Sequence, residues 1–124
     1  MDLETEKPVM WAGHVNMSTD KIDESEAFML AVGMRPLFRR DDTVILEMRA
    51  GTHLVISLVD KVEPGPAAFD LMVEDLDAFH ARLTDAGLNP SEIGPVPAHQ
   101  AFTLTEPAGN VITVFDSHNS EFPV

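Results

Sequence analysis

The sequence predicts an α+β fold built from two tandem βαβββ modules, whose curved, mostly antiparallel sheets form a cleft. The main observation is an internal repeat, because residues 67–88 follow the pattern of residues 13–34 at an offset of 54 without a gap. A second observation is that several strand-like segments separate the two helical segments, which argues against parallel βαβ winding.

Length and composition are typical of one globular domain. The chain has 124 residues, of which 44% are hydrophobic. We expect a single domain over residues 9–124, with modules at 9–60 and 67–116. The sequence contains no cysteine, which excludes disulfides, thiolate metal sites and a cysteine nucleophile.

The charge balance is strongly acidic. The formal net charge is −13, from 21 acidic and 8 basic residues. Such a surface repels phosphate backbones and anionic lipids, so we expect no nucleic-acid partner and no membrane partner. No apolar run approaches the ~18 residues of a membrane helix. The N-terminal segment carries three acids and does not resemble a signal peptide, so a cytoplasmic location is expected.

The first module opens with a strand-like pattern over residues 9–19. Asp20 is placed to cap the helix that follows. The buried face of that helix is predicted to carry Ile22, Ser25, Met29 and Val32, which follow helical spacing. Gly33 supplies the left-handed residue that ends the helix.

The rest of the first module is predicted to contain three extended segments separated by two turns. Residues 36–38 lead to a charged tip at 39–42. Strands are predicted at 43–48 and 53–59, with a turn at 50–52 between them.

The second module repeats this order after a connector at residues 60–66. The opening strand is predicted at 67–73, and a helix runs from Asp75 or a neighbour to about residue 86, where Gly87 ends it. Residues 89–98 contain three prolines and suit a loop or an edge segment. Strands at 101–105 and 111–115 enclose a tight turn.

Alternation along the strands assigns one apolar face to the helices and leaves a mixed face on the other side. The predicted apolar face carries Val15, Met17, Ile56, Leu58, Phe69, Leu71, Ile112 and Val114. The mixed face carries His14, Asn16, Val55, Ser57, Ala68, Asp70, Met72, Val111, Thr113 and Phe115. Two such faces opposite each other would form a small-molecule cleft, although a half-polar face also suits plain exposure to solvent.

The order of these motifs resembles the vicinal oxygen chelate superfamily over residues 9–116. The shared features are the opening GHV strand, the DESEAF helix with VGM at its end, the VEDLDAF start of the second helix, and EPAGNVI near the end of the chain. That superfamily includes glyoxalase I, bleomycin-resistance proteins and extradiol dioxygenases.

The resemblance implies four metal-ligand positions in the metal-dependent members, one on the first and one on the last strand of each module. Carried onto this chain, these positions hold His14, Ser57, Ala68 and Thr113. Only His14 is a normal ligand for zinc, iron or nickel. The chain is therefore most similar to metal-free members of the bleomycin-resistance type, which typically work as homodimers.

Other chemistry at these residues stays open. His14 and Asp70 could form a shifted metal site, or an acid–base pair for isomerisation. Ser57 with His14 and Asp70 would combine a nucleophile, a base and an orienting group, but no nucleophile elbow surrounds Ser57. Met72, with Trp11 and Phe115, could form an adaptable apolar wall. The remaining histidines, His53, His80, His99 and His118, are more readily explained by structural roles.

We therefore expect a homodimer that binds a small organic ligand without a cofactor or a metal. Its polar contacts would come from His14, Asn16, Ser57, Asp70 and Thr113, which share a predicted face. The alternatives are a metal-dependent lyase, isomerase or dioxygenase of the same fold, and a scaffold protein without a ligand.

Overall fold

A computed structural model of the chain describes residues 6–117 and residue 124. Within that part, the first module comprises β1 (His14–Thr19), α1 (Ile22–Val32), β2 (Arg35–Arg39), β3 (Thr43–Glu47) and β4 (His53–Leu58). The second comprises β5 (Gly65–Pro66), β6 (Leu71–Val73), α2 (Leu76–Asp85), β7 (Gly94–Val96), β8 (His99–Thr105) and β9 (Asn110–Asp116).

Each module folds into its own mixed sheet with the same strand order. The first sheet runs β1-β4-β3-β2, and the second runs β5-β9-β8-β7 with β6 also paired to β9. The opening strands pair in parallel with the last strand of their module, and the other pairings are antiparallel. The predicted architecture of two tandem βαβββ modules is therefore confirmed, and the two sheets do not close on each other.

The repeat is expressed most clearly in the helices. Adding 54 to the first residue of α1 gives the first residue of α2, and the buried Met29 corresponds to the buried Leu83. The buried face of α1 carries the four residues that helical spacing predicts, Ile22, Ser25, Met29 and Val32. Side chains from both helices and both sheets join one hydrophobic cluster.

The start of α1 differs from the prediction, because Asp20 does not cap the helix. The N-cap residue is Lys21, which makes no side-chain cap, and its backbone N–H donates to Oγ1 of Thr19 at 2.9 Å. The Asp20 carboxylate instead turns toward the connector, where Oδ2 accepts a hydrogen bond from the backbone of Val62 at 3.4 Å. In α2 the expected cap is present, since Asp75 accepts from the backbone of Ala78 at 2.9 Å.

Several strand boundaries also differ from the sequence pattern. The opening strand begins only at His14, and the second opening strand is split into β5 and β6 by four residues outside any strand. Residues 35–39 form an edge strand, so Arg39 belongs to β2 and not to the hairpin tip. Leu58, placed on the apolar face, is the last residue of β4 and is 42% exposed.

A buried polar cluster joins the two modules. Glu106 is 1% exposed, and its Oε1 accepts from the hydroxyl of Ser25 at 2.6 Å. Its Oε2 accepts from the backbone and the side-chain amide of Asn110, each at 2.9 Å. That amide also donates to the backbone oxygen of Ser18 in β1. A buried carboxylate is tolerated when hydrogen bonds satisfy it, and here they fix the turn before β9 against α1.

Among the described residues, no helix has the length and apolar character needed to cross a membrane.

Candidate functional site

Each sheet has an outer face, on the side away from the helices, and four of the five residues predicted to bind a ligand lie on these two faces, while Asp70 lies just before β6. On the first sheet, His14 and Asn16 are exposed on β1, and Ser57 is exposed on β4. The parallel register pairs Asn16 with Val55 and Ser18 with Ser57. Because register partners point to the same side of a sheet, His14, Asn16 and Ser57 share one face.

A row of polar side chains crosses the whole first sheet at one level. The register pairs His14 with His53, His53 with Glu47, and Glu47 with Arg35. The two imidazole rings meet edge to face, with centroids 5.3 Å apart. Nε2 of His53 lies 3.5 Å from Oε2 of Glu47, whose other oxygen pairs with Arg35. This row places polar groups that can form hydrogen bonds next to His14 on the outer face.

On the second sheet, Thr113 lies on the corresponding outer face, and Asp70 precedes the strand β6 of that sheet. Thr113 is half-buried in β9 opposite Thr103, and Asp70 is exposed just before β6. Met72, which follows Asp70 by two residues and is 53% exposed, pairs with Phe115. This face therefore combines Thr113 with two large apolar side chains, and Asp70 lies next to it in the chain.

At the end of the same sheet, His99 and Asp116 form a hydrogen-bonded pair. Nδ1 of His99 lies 3.0 Å from Oδ1 of Asp116, which also accepts from the backbone of Gln100 at 3.1 Å. The imidazole ring packs against Phe115 with centroids 5.2 Å apart. A carboxylate on Nδ1 fixes the orientation of the imidazole ring. His118 lies outside the described residues.

Two cavities surround the segment that precedes β1. The larger, which we call the arm cavity, measures about 820 Å³ and reaches from Trp11 to Met72 and Glu74. The other, the histidine cavity, measures about 520 Å³ and reaches from Trp11 to His14 and His53. The predicted pairing of Trp11 with Met72 in one apolar wall is found in the arm cavity, whereas Phe115 is not among its lining residues.

The wall of both cavities is anchored by hydrogen bonds to the turn between β3 and β4. Nε1 of Trp11 donates to the backbone oxygen of Ala50 at 2.7 Å, and the hydroxyl of Thr52 donates to the oxygen of Ala12 at 2.6 Å. The indole ring is nevertheless 66% exposed. Because its one polar hydrogen is already bonded, the ring offers an apolar surface for contact.

The structure thus groups the five predicted residues into two sets. His14, Asn16 and Ser57 belong to the first sheet, and Asp70 and Thr113 belong to the second. Of the five, His14 lines the histidine cavity. Within residues 6–117 and 124, no hydrogen bond or ion pair links one set to the other.

The four positions of the metal-site pattern do not provide a normal set of ligands. His14 can ligate a transition metal, but Ala68 has no donor atom, and the hydroxyls of Ser57 and Thr113 are poor donors for zinc, iron or nickel. In the described part of the chain, no group of three or more acidic or histidine side chains is arranged to hold a metal ion.

Sequence reasoning did not identify the acidic partners of two histidines, Glu47 and Asp116. Glu47 and Asp116 end their strands, and only the strand register brings them beside histidines. Side chains alternate between the two faces along residues 43–47, so Glu47 points to the same side as the outward-facing Ile45. This pattern could have identified Glu47 from the sequence. The partner of His99 lies 17 residues away and no local pattern indicates it.

Solved structures with the same arrangement are known. A lactoylglutathione lyase from Agrobacterium tumefaciens is 17% identical, with a TM-score of 0.74 over 90% of this chain and 96% of that one. A bleomycin-binding protein from Streptomyces verticillus, in complex with copper(II)-bleomycin, is 18% identical, with a TM-score of 0.74 over 90% of this chain and all (100%) of that one. A bleomycin resistance determinant encoded on transposon Tn5 is 17% identical, with a TM-score of 0.71 over 87% and 98%.

No protein-family model and no curated protein matches the sequence. Likeness at this level of identity establishes the fold, which is the one that the sequence motifs predict.

Proposed function

Because the chain has the vicinal oxygen chelate fold of the glyoxalase and bleomycin-resistance proteins, we propose that it binds a small organic molecule without the usual divalent metal. His14, Asn16, Ser57, Asp70 and Thr113 supply the polar contacts. The observation that carries the proposal is the mixed character of the outer sheet faces, where these groups stand among large apolar side chains. Small-molecule sites combine apolar walls with a few polar groups in this way.

Two features support an organic ligand on these faces. The bleomycin-binding neighbour from Streptomyces verticillus holds its metal-chelated drug on the same fold. Trp11 and Met72 also remain 66% and 53% exposed, and large apolar groups of this kind mark binding surfaces. We propose that the protein acts as a cytoplasmic homodimer, in which a second copy covers part of this apolar surface.

The absence of the usual metal is supported by side-chain chemistry. Three of the four ligand positions hold Ser57, Ala68 and Thr113, so a metal ion there would have one strong protein ligand. Tight binding of a divalent ion needs several converging ligands.

A metal-dependent lyase, isomerase or dioxygenase is the second candidate. The lactoylglutathione lyase neighbour and the contact between His14 and His53 favour it. Elemental analysis of the purified protein separates the two candidates. Metal well below one equivalent, with no rise in melting temperature on adding zinc, nickel, iron or manganese, supports the metal-free site. One bound equivalent with a metal-induced rise contradicts it.

The test of binding is a thermal-shift screen of chelator-treated protein against a broad library of small organic molecules. A ligand present at 100 times its Kd stabilises the folded state by about 2.7 kcal/mol, which is a measurable shift. Hits should lose affinity in His14→Ala and Asp70→Ala and keep it in Asp41→Ala, a matched change at the exposed hairpin tip. A blank screen would favour a scaffold protein without a ligand.

A further inference from the structure

A third cavity lies between the two modules, at the C-terminal end of α1. It measures about 330 Å³, and we call it the helix-end cavity. Its apolar walls come from both modules and include Val32, Met34, Met48, Leu71 and Phe79. None of the five proposed ligand-binding residues lines it. Its volume is at the lower end of the range for small-molecule sites.

The polar lining of this cavity is cationic, in contrast to the rest of the protein. Arg49, Glu74 and Arg82 contribute the charged groups. Arg49 and Glu74 pair with each other at 3.0 Å, which neutralises one positive charge. One guanidinium, that of Arg82, is left over, in a chain with 21 acidic and 8 basic residues.

Arg82 differs from most of the other arginines in lacking a carboxylate partner. Arg35, Arg39 and Arg49 form ion pairs with acidic side chains. In the part of the chain that the structure describes, no acidic side chain lies within 4.0 Å of the Arg82 guanidinium. It lies instead against Gly33, where an added Cβ would be 2.6 Å from Nη2 and 3.2 Å from the central carbon.

The C-terminal end of α1, where Arg82 lies, is a favourable place for a cation. That helix has no basic residue in its last turn, so its C-terminal carbonyl groups attract a cation from α2. The residue at this end is a glycine, which allows the guanidinium to approach closely. The same contact holds a planar pair of hydrogen-bond donors beside the apolar walls of the cavity.

We propose that the helix-end cavity is a second binding site, which takes a small monocarboxylate with an apolar tail. The apolar walls cover the tail, and Arg82 binds the carboxylate through the paired N–H groups that match its geometry. One unpaired cation fits one negative charge, which favours a monoanion. Met72 lines this cavity as well as the outer face of the second sheet, but none of the five residues proposed to bind a ligand there lines it, so the site stands whether or not those five bind one.

Isothermal titration with octanoate and with octan-1-ol tests the proposal, because the two probes share a tail and differ in charge at neutral pH. The wild-type protein should bind octanoate about tenfold more tightly than octan-1-ol, as expected for one hydrogen-bonded ion pair. Arg82→Met keeps an apolar stem and should remove the preference. Arg40→Met is the matched control, because Arg40 lies over the ring of Phe38 and does not line the cavity.

A role of Arg82 in helix stability alone would give a different result. In that case Arg82→Met would lower the melting temperature and leave the ratio of the two affinities unchanged, which would overturn the proposal. Equal binding of octanoate and octan-1-ol by the wild-type protein would overturn it as well.

Methyl NMR locates the probe without any substitution. Octanoate should shift the methyl signals of Met34 and Met48, which line the cavity, and leave that of Met17 unchanged. Shifts confined to methyl groups elsewhere would overturn the proposal, since they would place the probe outside the helix-end cavity.

Discussion

The guanidinium of Arg82, in the second module, lies against Gly33 at the end of α1 in the first module. A Cβ at position 33 would be 2.6 Å from Nη2, and the backbone φ of Gly33 is +122°. Gly33 therefore serves two purposes, because it ends its helix in a conformation that other residues avoid and leaves room for a cation from α2. The contact is one of several through which the modules stabilise each other.

Gly33→Ala should lower the free energy of unfolding by about 1–2 kcal/mol, since alanine is strained at this φ. The clash itself costs little, because the flexible Arg82 side chain can move away. Urea denaturation measures the loss, and the Nε signal of Arg82 in NMR reports the movement.

The matched control is Gly87→Ala, at a φ of +78° with no atom within 4 Å of the added Cβ. It should cost a similar amount and leave the Arg82 signal unchanged. If Gly33→Ala left that signal unchanged too, the contact between Arg82 and Gly33 would be contradicted.

Glu106→Ala should destabilise the protein by about 3 kcal/mol. The substitution removes the acceptor of the buried Ser25 hydroxyl and of the partly buried donors of Asn110, and an unsatisfied buried group costs about 1–3 kcal/mol. Chemical denaturation of the variant measures the change.

Glu63→Ala is the comparison, because Glu63 is exposed and its ion pair among the described residues is with the exposed Lys61. Its effect should stay within about 0.5 kcal/mol. Equal effects of the two substitutions would mean that Glu106 does not hold the modules together.

Met29→Ala and Leu83→Ala should each cost about 2–5 kcal/mol, because both residues are fully buried at equivalent positions of the two helices. Both should shift a single cooperative transition, since one hydrophobic cluster runs through both modules. Circular dichroism and tryptophan fluorescence should give coincident curves. Leu30→Ala, at a site that is 38% exposed, is the mild control. Two separate transitions would show that the modules unfold independently.

Asp75→Ala should cost about 1 kcal/mol through loss of the N-cap of α2. Asp20→Ala should cost less, because its Oδ1 is buried without a hydrogen-bond partner among the described residues and Oδ2 makes one long contact. Thermal unfolding of the two variants compares them directly. A larger loss of stability in Asp20→Ala than in Asp75→Ala would contradict the finding that Asp20 does not cap α1.

The helices were predictable from the sequence because their determinants are local. The spacing of apolar residues predicts the buried face of α1, and the glycines predict where the helices end. The internal repeat at an offset of 54 predicts the second module. The cap at Asp20 was mispredicted because Thr19, one residue earlier, already accepts the backbone hydrogen bond at that helix start. Thr19 and Asp20 both lie close enough to the helix start to accept that hydrogen bond. Which of the two accepts it depends on how the folded chain packs.

The long-range polar contacts were not predictable, because they depend on register and on how the modules meet. Glu106 contacts Ser25 across 81 residues, and the row from His14 to Arg35 requires the pairing of four strands. Alternation did place His14, Asn16 and Ser57 on one outer face. It could not determine how the two outer faces are arranged relative to each other.

The central claim is that a small organic ligand binds to the outer sheet faces without a metal. The most direct measurement is an amide NMR titration of chelator-treated protein with the strongest hit from the thermal-shift screen. We predict that the largest shifts fall on the amides of His14, Asn16, Ser57, Asp70 and Thr113. Shifts confined to the helices or to the lining of the helix-end cavity, with these five amides unchanged, would contradict the claim.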